Sequence, residues 1–489
     1  MSTGTRDPGV AEREFTRLVN GAADKLEAGE RPPDISRASI WHSPSQPLEV
    51  AHRYGDGLVA AGHTPRFWAL QWWTYTGTHY IVREDHEITG RLYQTLRHAE
   101  YRDAHGDLVP WNPDQAKTNK VIHALKTPPR LIRATVRPGS WLQTDHGLVI
   151  PCRNGLLKTS DRTLMPHTPD YFGHFALSFN YDPKAPKPAR WLQFVDEVMP
   201  GDPTAQKVLQ EFLGYIVSGR TDLHKALMLL GPKRCGKGTI DRLIRDLVGP
   251  DAHTGLSSSN LNDRFGLEQL VGKTVATFSD HRLSLNGKQF VETVLRVTGE
   301  DTVTVQQKNR KDWVGKLGTR MIFLSNVMPT LPDASGAIVS RMLPIWMPTS
   351  FFGREDHELG AKLTAELPGI LNWALGGLDR LTKQGKFTEL TSERNKTLVE
   401  EMLSASNPLR QFIDDHCDEK ADLEADKQKF YDNWAAWARK NGHEPGSITS
   451  LTRSLMAIYG PDVAGRAGSG GRSRVYKGLR IHTIVRGIW

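Results

Sequence analysis

The chain has 489 residues, 38% hydrophobic and 24% charged, with a formal net charge of +8, a length that suits roughly two to four domains. No window approaches the ~18 consecutive apolar residues of a membrane span, and the opening MSTGTRDPGVAEREF has no signal-peptide layout. Three scattered cysteines (Cys152, Cys235, Cys417) argue against a disulfide framework or a zinc cluster, so the expected setting is reducing and cytoplasmic, with no membrane partner.

Residues 1–35 are polar and punctuated by Pro and Gly, and read as a flexible N-terminal segment. Residues 36–194 read as an α+β domain. In it, RFWALQWWTYTGTHYIVRED alternates bulky and polar residues around Thr76-Gly77, which predicts a β-hairpin. EITGRLYQTLRHAEY and KTNKVIHALKTPPRLI have helical spacing, the second stopped by a Pro pair. GLVIPCRNGLLKTSDRTLMPHTPDYF then reads as short strands and turns. Residues 195–395 carry an α/β pattern, introduced by the amphipathic helices ARWLQFVDEVMP and AQKVLQEFLGYIVSG. Strand KALMLLG, a glycine loop and helix TIDRLIRDLVG follow, with further strands at KTVATFSD, DTVTVQQK and TRMIFLSN and helices over 355–383. Residues 404–489 form a last module. Its helices KQKFYDNWAAWARKNG and SITSLTRSLMAIYG precede a basic hairpin, an order that suits a winged-helix DNA-binding module. From Val463 to Trp489 there are six basic residues (Arg466, Arg472, Arg474, Lys477, Arg480, Arg486) and no acid. Such a segment either attracts phosphate backbones or is a solvated surface tail.

The stretch GPKRCGKGT, residues 231–239, misses the G-x-x-x-x-G-K-[ST] pattern by one place, because Gly238 stands where the hydroxyl should be. A strand, a small-residue loop and an immediate helix are the context in which backbone N–H groups and a helix N-terminus grip phosphates. Gly231, Gly236 and Gly238 would shape that loop, Lys237 would reach the β- and γ-phosphates, and Thr239 is the hydroxyl left for magnesium. A plain strand–turn–helix connection would use the same glycines. Downstream, VATFSD ends a strand in Asp280, which either positions magnesium or caps a turn. MIFLSN ends in Asn326, a γ-phosphate sensor or a turn residue. Arg341 in ASGAIVSRML is an arginine finger or a surface ion pair.

Taken in order, GPKRCGKGTI, FGLEQLVGKTVATFSDHRLSL, VTGEDTVTVQQKNRKDWVGKL, TRMIFLSNVMPTLPDASGAIVSRML and SFFGREDHELGAKLTAELPGILNWALGGLDRL resemble the superfamily 3 helicases. More closely, they resemble the phage/plasmid primase–helicase family, relatives of poxvirus-type helicase-primases. The resemblance covers about Leu48 to Val485. It implies an AAA-like P-loop ATPase core, preceded by an α+β domain and followed by a winged-helix-like domain. It further implies a homo-oligomeric ring, usually a hexamer, that moves 3′ to 5′ on single-stranded or forked DNA in phage, prophage or plasmid replication in a bacterial host. ATP and Mg2+ would sit between subunits, with Lys237, Thr239, Asp280 and Asn326 on one side and Arg341 supplied by the neighbour. The hairpin VQQKNRKDW would be the pore loop, its Lys308, Arg310 and Lys311 touching the DNA backbone along with Arg472, Arg474 and Lys477 of the last module.

Three departures qualify this expectation. Cys235 stands where the family often has Asn or Ser. The Asp-ending strand carries one acid followed by His281 and Arg282, so the catalytic water needs another group, for which Glu292 is a candidate. No spaced acid pair of the kind used in two-metal nucleotidyl transfer is found, so a helicase without primase activity is expected, partnered by a primase or polymerase encoded elsewhere. Two other readings stay open: an ATP-regulated replication initiator that binds DNA without processive unwinding, and a small-molecule kinase suggested by GKGT.

Overall fold

The structure is a computed structural model that describes residues 40–257, 259, 261, 263–279, 288–308, 311–329, 336–406, 408–441, 443–466 and 474–482. The expected flexible segment at 1–35 lies outside these.

Five strands form one sheet: β1 (Ala226–Leu230), β2 (His253–Leu256), β3 (Val275–Ser279), β4 (Arg320–Ser325) and β5 (Met342–Trp346). Every pairing is parallel, in the order β2-β3-β4-β1-β5. The near-continuous apolar runs ALMLL and RMIFLS are the sequence of strands covered on both faces, and every residue of β1 and β4 is buried. Alternation along β1 sends Leu227 and Leu229 to one core and Ala226, Met228 and Leu230 to the other. β5 holds Pro344 because it is an edge strand, bonded only to β1.

The first face is covered by α1 (Ala189–Val198), α2 (Pro203–Val217) and α3 (Lys237–Val248). Against the second face lies α4 (Lys288–Thr298), and α5 (Ala337–Arg341) leads into β5. The long α6 (Leu367–Gln384) returns to the first face and touches α2 backbone to backbone. A Cβ on Gly214 would lie 2.6 Å from the Ala374 carbonyl and one on Gly377 2.4 Å from the Gln210 carbonyl. At that junction the fully buried Glu211 accepts from Arg380 and from the backbone and hydroxyl of Thr388, which satisfies a charge that would otherwise be costly to bury.

The N-terminal part builds an antiparallel meander, Pro65–Trp68, Gln71–Tyr75 and Tyr80–Arg83, with the turn at Thr76-Gly77 in its expected place. Helices Asp85–Leu96 and Gln115–Leu125 and the small sheet Val149–Cys152, Gly155–Lys158 and Leu164–Met165 also match their sequence patterns. Trp68, Trp73, Tyr80 and Phe172 pack edge to face and join the second-face core of the large sheet. The final module runs helix Pro408–His416, strand Cys417–Asp426, helices Lys427–Lys440 and Ile448–Tyr459, then strands Ala464–Arg466 and Arg474–Ile481. Its antiparallel sheet places the third strand between the first and second, over a separate core of Phe412, Phe430, Trp434 and Tyr476.

Two expected boundaries fall inside helices. Residues 194 and 195 lie within α1, whose Trp191 and Phe194 belong to the first-face core. Residue 404 lies within helix Glu393–Ser406, which packs along β5. In α1 burial follows the apolar face of the helix across the change in sequence composition.

Candidate functional site

The glycine loop leaves the C-terminal end of β1 and turns directly into α3. Gly236 caps the helix at φ 97, and Arg234 also takes a left-handed conformation at φ 62. Gly236 is required twice over, since a Cβ there would lie 3.0 Å from Phe194 and from Val198 of α1. Lys237 then folds back across the loop. Its Nζ donates to the carbonyls of Gly231 (2.8 Å) and Pro232 (2.9 Å) and to Oδ1 of Asn326 (3.0 Å). The sheet causes this meeting, because β4 lies beside β1 in a register that pairs Leu230 with Ser325. Asn326, the next residue, therefore stands beside the loop. Cys235 is buried, with its Sγ 3.3 Å from Nζ.

Lys237 is the first residue of α3, so Gly238 is second and Thr239 third. A Cβ on Gly238 would make only ordinary contact with Arg242 at 3.5 Å, so the backbone there does not demand glycine. The Thr239 hydroxyl accepts from Arg242 Nη2 at 3.2 Å. One turn into the helix, Asp241 accepts from Thr277 of β3 (2.6 Å) and contacts His253 of β2 (3.0 Å). Burial alone would raise the Asp241 carboxyl, but the bonds from His253 and Thr277 outweigh it and hold its pKa below the ordinary value. This network ties the start of α3 to two strands.

The loop opens on a cavity of ≈ 1160 Å³ lined by Lys233, Lys237, Thr239, Arg242, Ser279 and Asn326. Arg354 and Arg190, the latter paired with Glu197 at 3.3 Å, stand at its wall together with Glu355 and Asp356, and Phe194, Phe351 and Leu359 give it an apolar side. The segment that carries Phe351 is clamped to the loop, with Phe351 N–H donating to the Arg234 carbonyl at 2.9 Å. Cations over backbone donors at a helix N-terminus suit a polyanion such as a nucleoside triphosphate. The apolar wall suits a flat ring. As a donor to a cation, the loop offers the Thr239 hydroxyl, and Mg2+ in such sites takes most of its oxygens from phosphate and water.

The other sequence candidates are placed as follows. Asp280 lies outside the described residues; it follows Ser279, which lines the cavity. Glu292 is exposed on α4 and is not among the cavity-lining residues. Arg341 ends α5 at the start of β5, whose far end, Trp346, pairs with Leu230 beside the loop. Arg341 is therefore about 17 Å, five strand residues, from the loop end of the sheet. Lys308 and Lys311 are exposed in the loop that joins the hairpin strands Thr302–Val305 and Trp313–Lys316, and Arg310 lies outside the described residues. Arg474 and Lys477 are exposed on the last strand, and Arg472 lies outside the described residues. Sequence reasoning gave no role to Arg190, Arg242, Phe351 or Arg354. The only signal was the clustered SFFGRED, whose aromatic and charged residues follow a strand end.

Residues 229–341 match a family of unknown function, DUF5906, and residues 52–200 match the family described as D5 N terminal like. Two solved structures of the apo C-terminal region of NrS-1 share the fold, each at TM-score 0.50 and 14% identity. One match covers 87% of this chain and 98% of that one, the other 89% and 99%.

Proposed function

We propose that this protein is an ATP-driven, Mg2+-dependent DNA helicase of the phage/plasmid primase–helicase kind, with an AAA-like, superfamily 3 core. The observation that carries the reading is the meeting of Lys237 Nζ with Asn326 Oδ1 at 3.0 Å. It occurs at the C-terminal end of a parallel sheet of order β2-β3-β4-β1-β5. A phosphate-loop lysine and a sensing amide on the strand adjacent to the loop strand are what a γ-phosphate-dependent motor needs. The D5 N terminal match supports the same family.

In this reading the loop N–H groups and Lys237 bind the β- and γ-phosphates, and Asn326 orients the attacking water. Mg2+ supplies charge neutralisation when bound, held by Thr239 and Asp280. Arg341 comes from the next subunit of a ring, consistent with its place far from its own loop. Lys308, Arg310 and Lys311 follow the DNA backbone through electrostatic, sequence-tolerant contacts. The helix–strand–helix–helix–strand–strand order of the final module supports a winged-helix reading, with Arg472, Arg474 and Lys477 on nucleic acid.

The test is ATP hydrolysis with and without single-stranded DNA, joined to unwinding of a forked duplex. DNA-stimulated hydrolysis and unwinding are expected from the wild type, and neither from Lys237→Ala. Nucleotide-dependent DNA binding without unwinding would favour an initiator instead, and hydrolysis in neither condition overturns the motor.

A further inference from the structure

At the opposite end of the sheet from the glycine loop lies a second cavity, of ≈ 100 Å³. At roughly 10–15 Å³ of such space per water, it holds several waters or one small oxyanion, and no nucleotide. It is a junction. His174 and Tyr171 come from the N-terminal part, Lys273 precedes β3, and Lys316 and Arg320 flank the turn from the hairpin into β4. Arg137, Lys273, Lys316 and Arg320 give it four cations, and no Asp or Glu is among its described lining residues.

Two of these side chains have unused buried donors. Arg320, 4% exposed, donates to the carbonyls of Ile216 (3.2 Å), Gly219 (3.4 Å) and Gly318 (2.5 Å). Its Nε is buried without a hydrogen-bond partner. Among the described residues no carboxylate pairs with it. The carbonyls at the end of α2 supply only the partial negative charge of a helix terminus. His174 bonds through Nε2 to the Thr274 hydroxyl at 2.6 Å, while its Nδ1 is buried and unpartnered. In the tautomer in which the Thr274 hydroxyl donates to Nε2, the ring hydrogen sits on Nδ1 and is free to donate. Arg137 is partly neutralised by Glu300 at 2.9 Å, and Lys273 Nζ donates to the Asp251 carbonyl at 2.6 Å. Buried polar donors of this kind are ordinarily matched by an acceptor, and converging cations at a small cavity select an anion.

We propose that this cavity is a binding site for a phosphate-sized oxyanion, held by Arg320, Lys316 and Lys273 with His174 Nδ1–H as a neutral donor. The anion is either free phosphate or the terminal phosphate of a nucleic-acid strand. Bound there, it bridges the N-terminal part to the N-terminal ends of the interior strands β3 and β4. The site is separate from the glycine loop and does not depend on the function proposed for it.

The test uses the full chain carrying Lys237→Ala, which disables the loop as a competing phosphate site. Calorimetric titration with inorganic phosphate, ionic strength held constant with chloride, should show one saturable site. Adding Lys316→Met and Lys273→Met should weaken it about tenfold or more, the cost of losing a charge-assisted contact. Arg320→Lys should also weaken it, since the fork is lost while the charge stays. Lys316 is exposed, so its variant tests the site even if replacement of Arg320 prevents folding. Displacement of phosphate by a 5′-phosphorylated oligonucleotide, and not by its unphosphorylated twin, assigns the site to a strand end. Failure of both to displace assigns it to the free ion. Absence of saturable binding in Lys237→Ala, or unchanged affinity in the lysine double variant, overturns the proposal.

Discussion

Thr239 shows how far a single residue could be read from its neighbours. Lysine between two glycines after an apolar strand made the loop legible, because few other uses place a cation at a helix start. The chain alone left open which residue supplies the hydroxyl; the helix start at Lys237 puts Thr239 third, where its hydroxyl already accepts from Arg242. If Thr239 is the magnesium-side group, Thr239→Ala should lower hydrolysis at least about tenfold at limiting Mg2+, equivalent to about 1.4 kcal/mol. Excess Mg2+ should partly restore it, and Thr239→Ser should behave as wild type. Normal hydrolysis by Thr239→Ala at low Mg2+ removes the assignment. Cys235 departs from the Asn or Ser that the resemblance leads one to expect, and its burial against Lys237 explains why a small soft side chain fits there. His174 had no sequence signal, since nothing local marks a histidine that folding buries beside Arg320. Burial first, then Arg320, Lys273 and His79, lowers its imidazole to about 3. An unfolded imidazole takes its proton near 6.5, so between these values the unfolded chain binds more protons. The contribution is fully present above 6.5 and declines as pH falls, by up to ~1.4 kcal/mol per pH unit. Urea unfolding from pH 6.5 to 5 should therefore show about 2 kcal/mol of loss that His174→Gln largely removes. An equal slope in both proteins would mean that His174 is not held neutral.

At the scale of elements, periodicity located most strands and helices, and two of the strands it did not locate depend on their place in a sheet. Strand Cys417–Asp426, CDEKADLEAD, has largely exposed charged residues and is a strand because it pairs with Arg474–Ile481, a long-range partner that no local window contains. β5 contains a proline that argues against a strand until its edge position is known. The hairpin over 302–316 was legible as strands, but its anchorage was not. Trp313, 4% exposed, packs edge to face on Trp68 at 5.4 Å, and Gln307 Nε2 donates to the Ala69 carbonyl at 3.3 Å. Gly315 is glycine because a Cβ there would meet the Trp313 ring at 2.2 Å. The hairpin is thus held against the N-terminal meander at the loop end of its strands, while Lys308 and Lys311 in that same loop are exposed. Trp313→Ala should cost about 3–5 kcal/mol, as large-to-small replacements of buried aromatics do. If the hairpin works on DNA, the variant should also lose DNA stimulation of hydrolysis more than basal hydrolysis, and Trp313→Phe should retain most of both. Denaturant unfolding together with hydrolysis at saturating DNA checks this. Proportional loss of basal and stimulated rates would show that the hairpin does not transmit DNA binding.

The whole molecule decides whether one chain can hold a complete site. Its charge pattern and motif order were legible in the sequence, whereas its division into domains was blurred. The aromatic residues of the N-terminal meander share a core with the large sheet, and α1 and helix Glu393–Ser406 cross the expected borders. Such shared burial makes the N-terminal part and the sheet one packed body, on which Lys237 and Arg341 occupy fixed and opposite ends. About 17 Å of strand separates Arg341 from its own loop, too far for a guanidinium to reach a γ-phosphate held by Lys237 of the same chain. On the proposed reading, a ring in which each subunit offers its loop to one neighbour and its Arg341 to the other would resolve the distance, as a heterologous interface that closes. Lys237→Ala and Arg341→Ala should then each be inactive alone, with Arg341→Ala still binding nucleotide. Mixed in equal amounts and allowed to exchange subunits, they should recover about a quarter of wild-type hydrolysis. In random mixing half the interfaces have an intact loop, and half of those face an intact arginine. Recovery no greater than the sum of the separate variants would mean that Arg341 does not act across a subunit boundary.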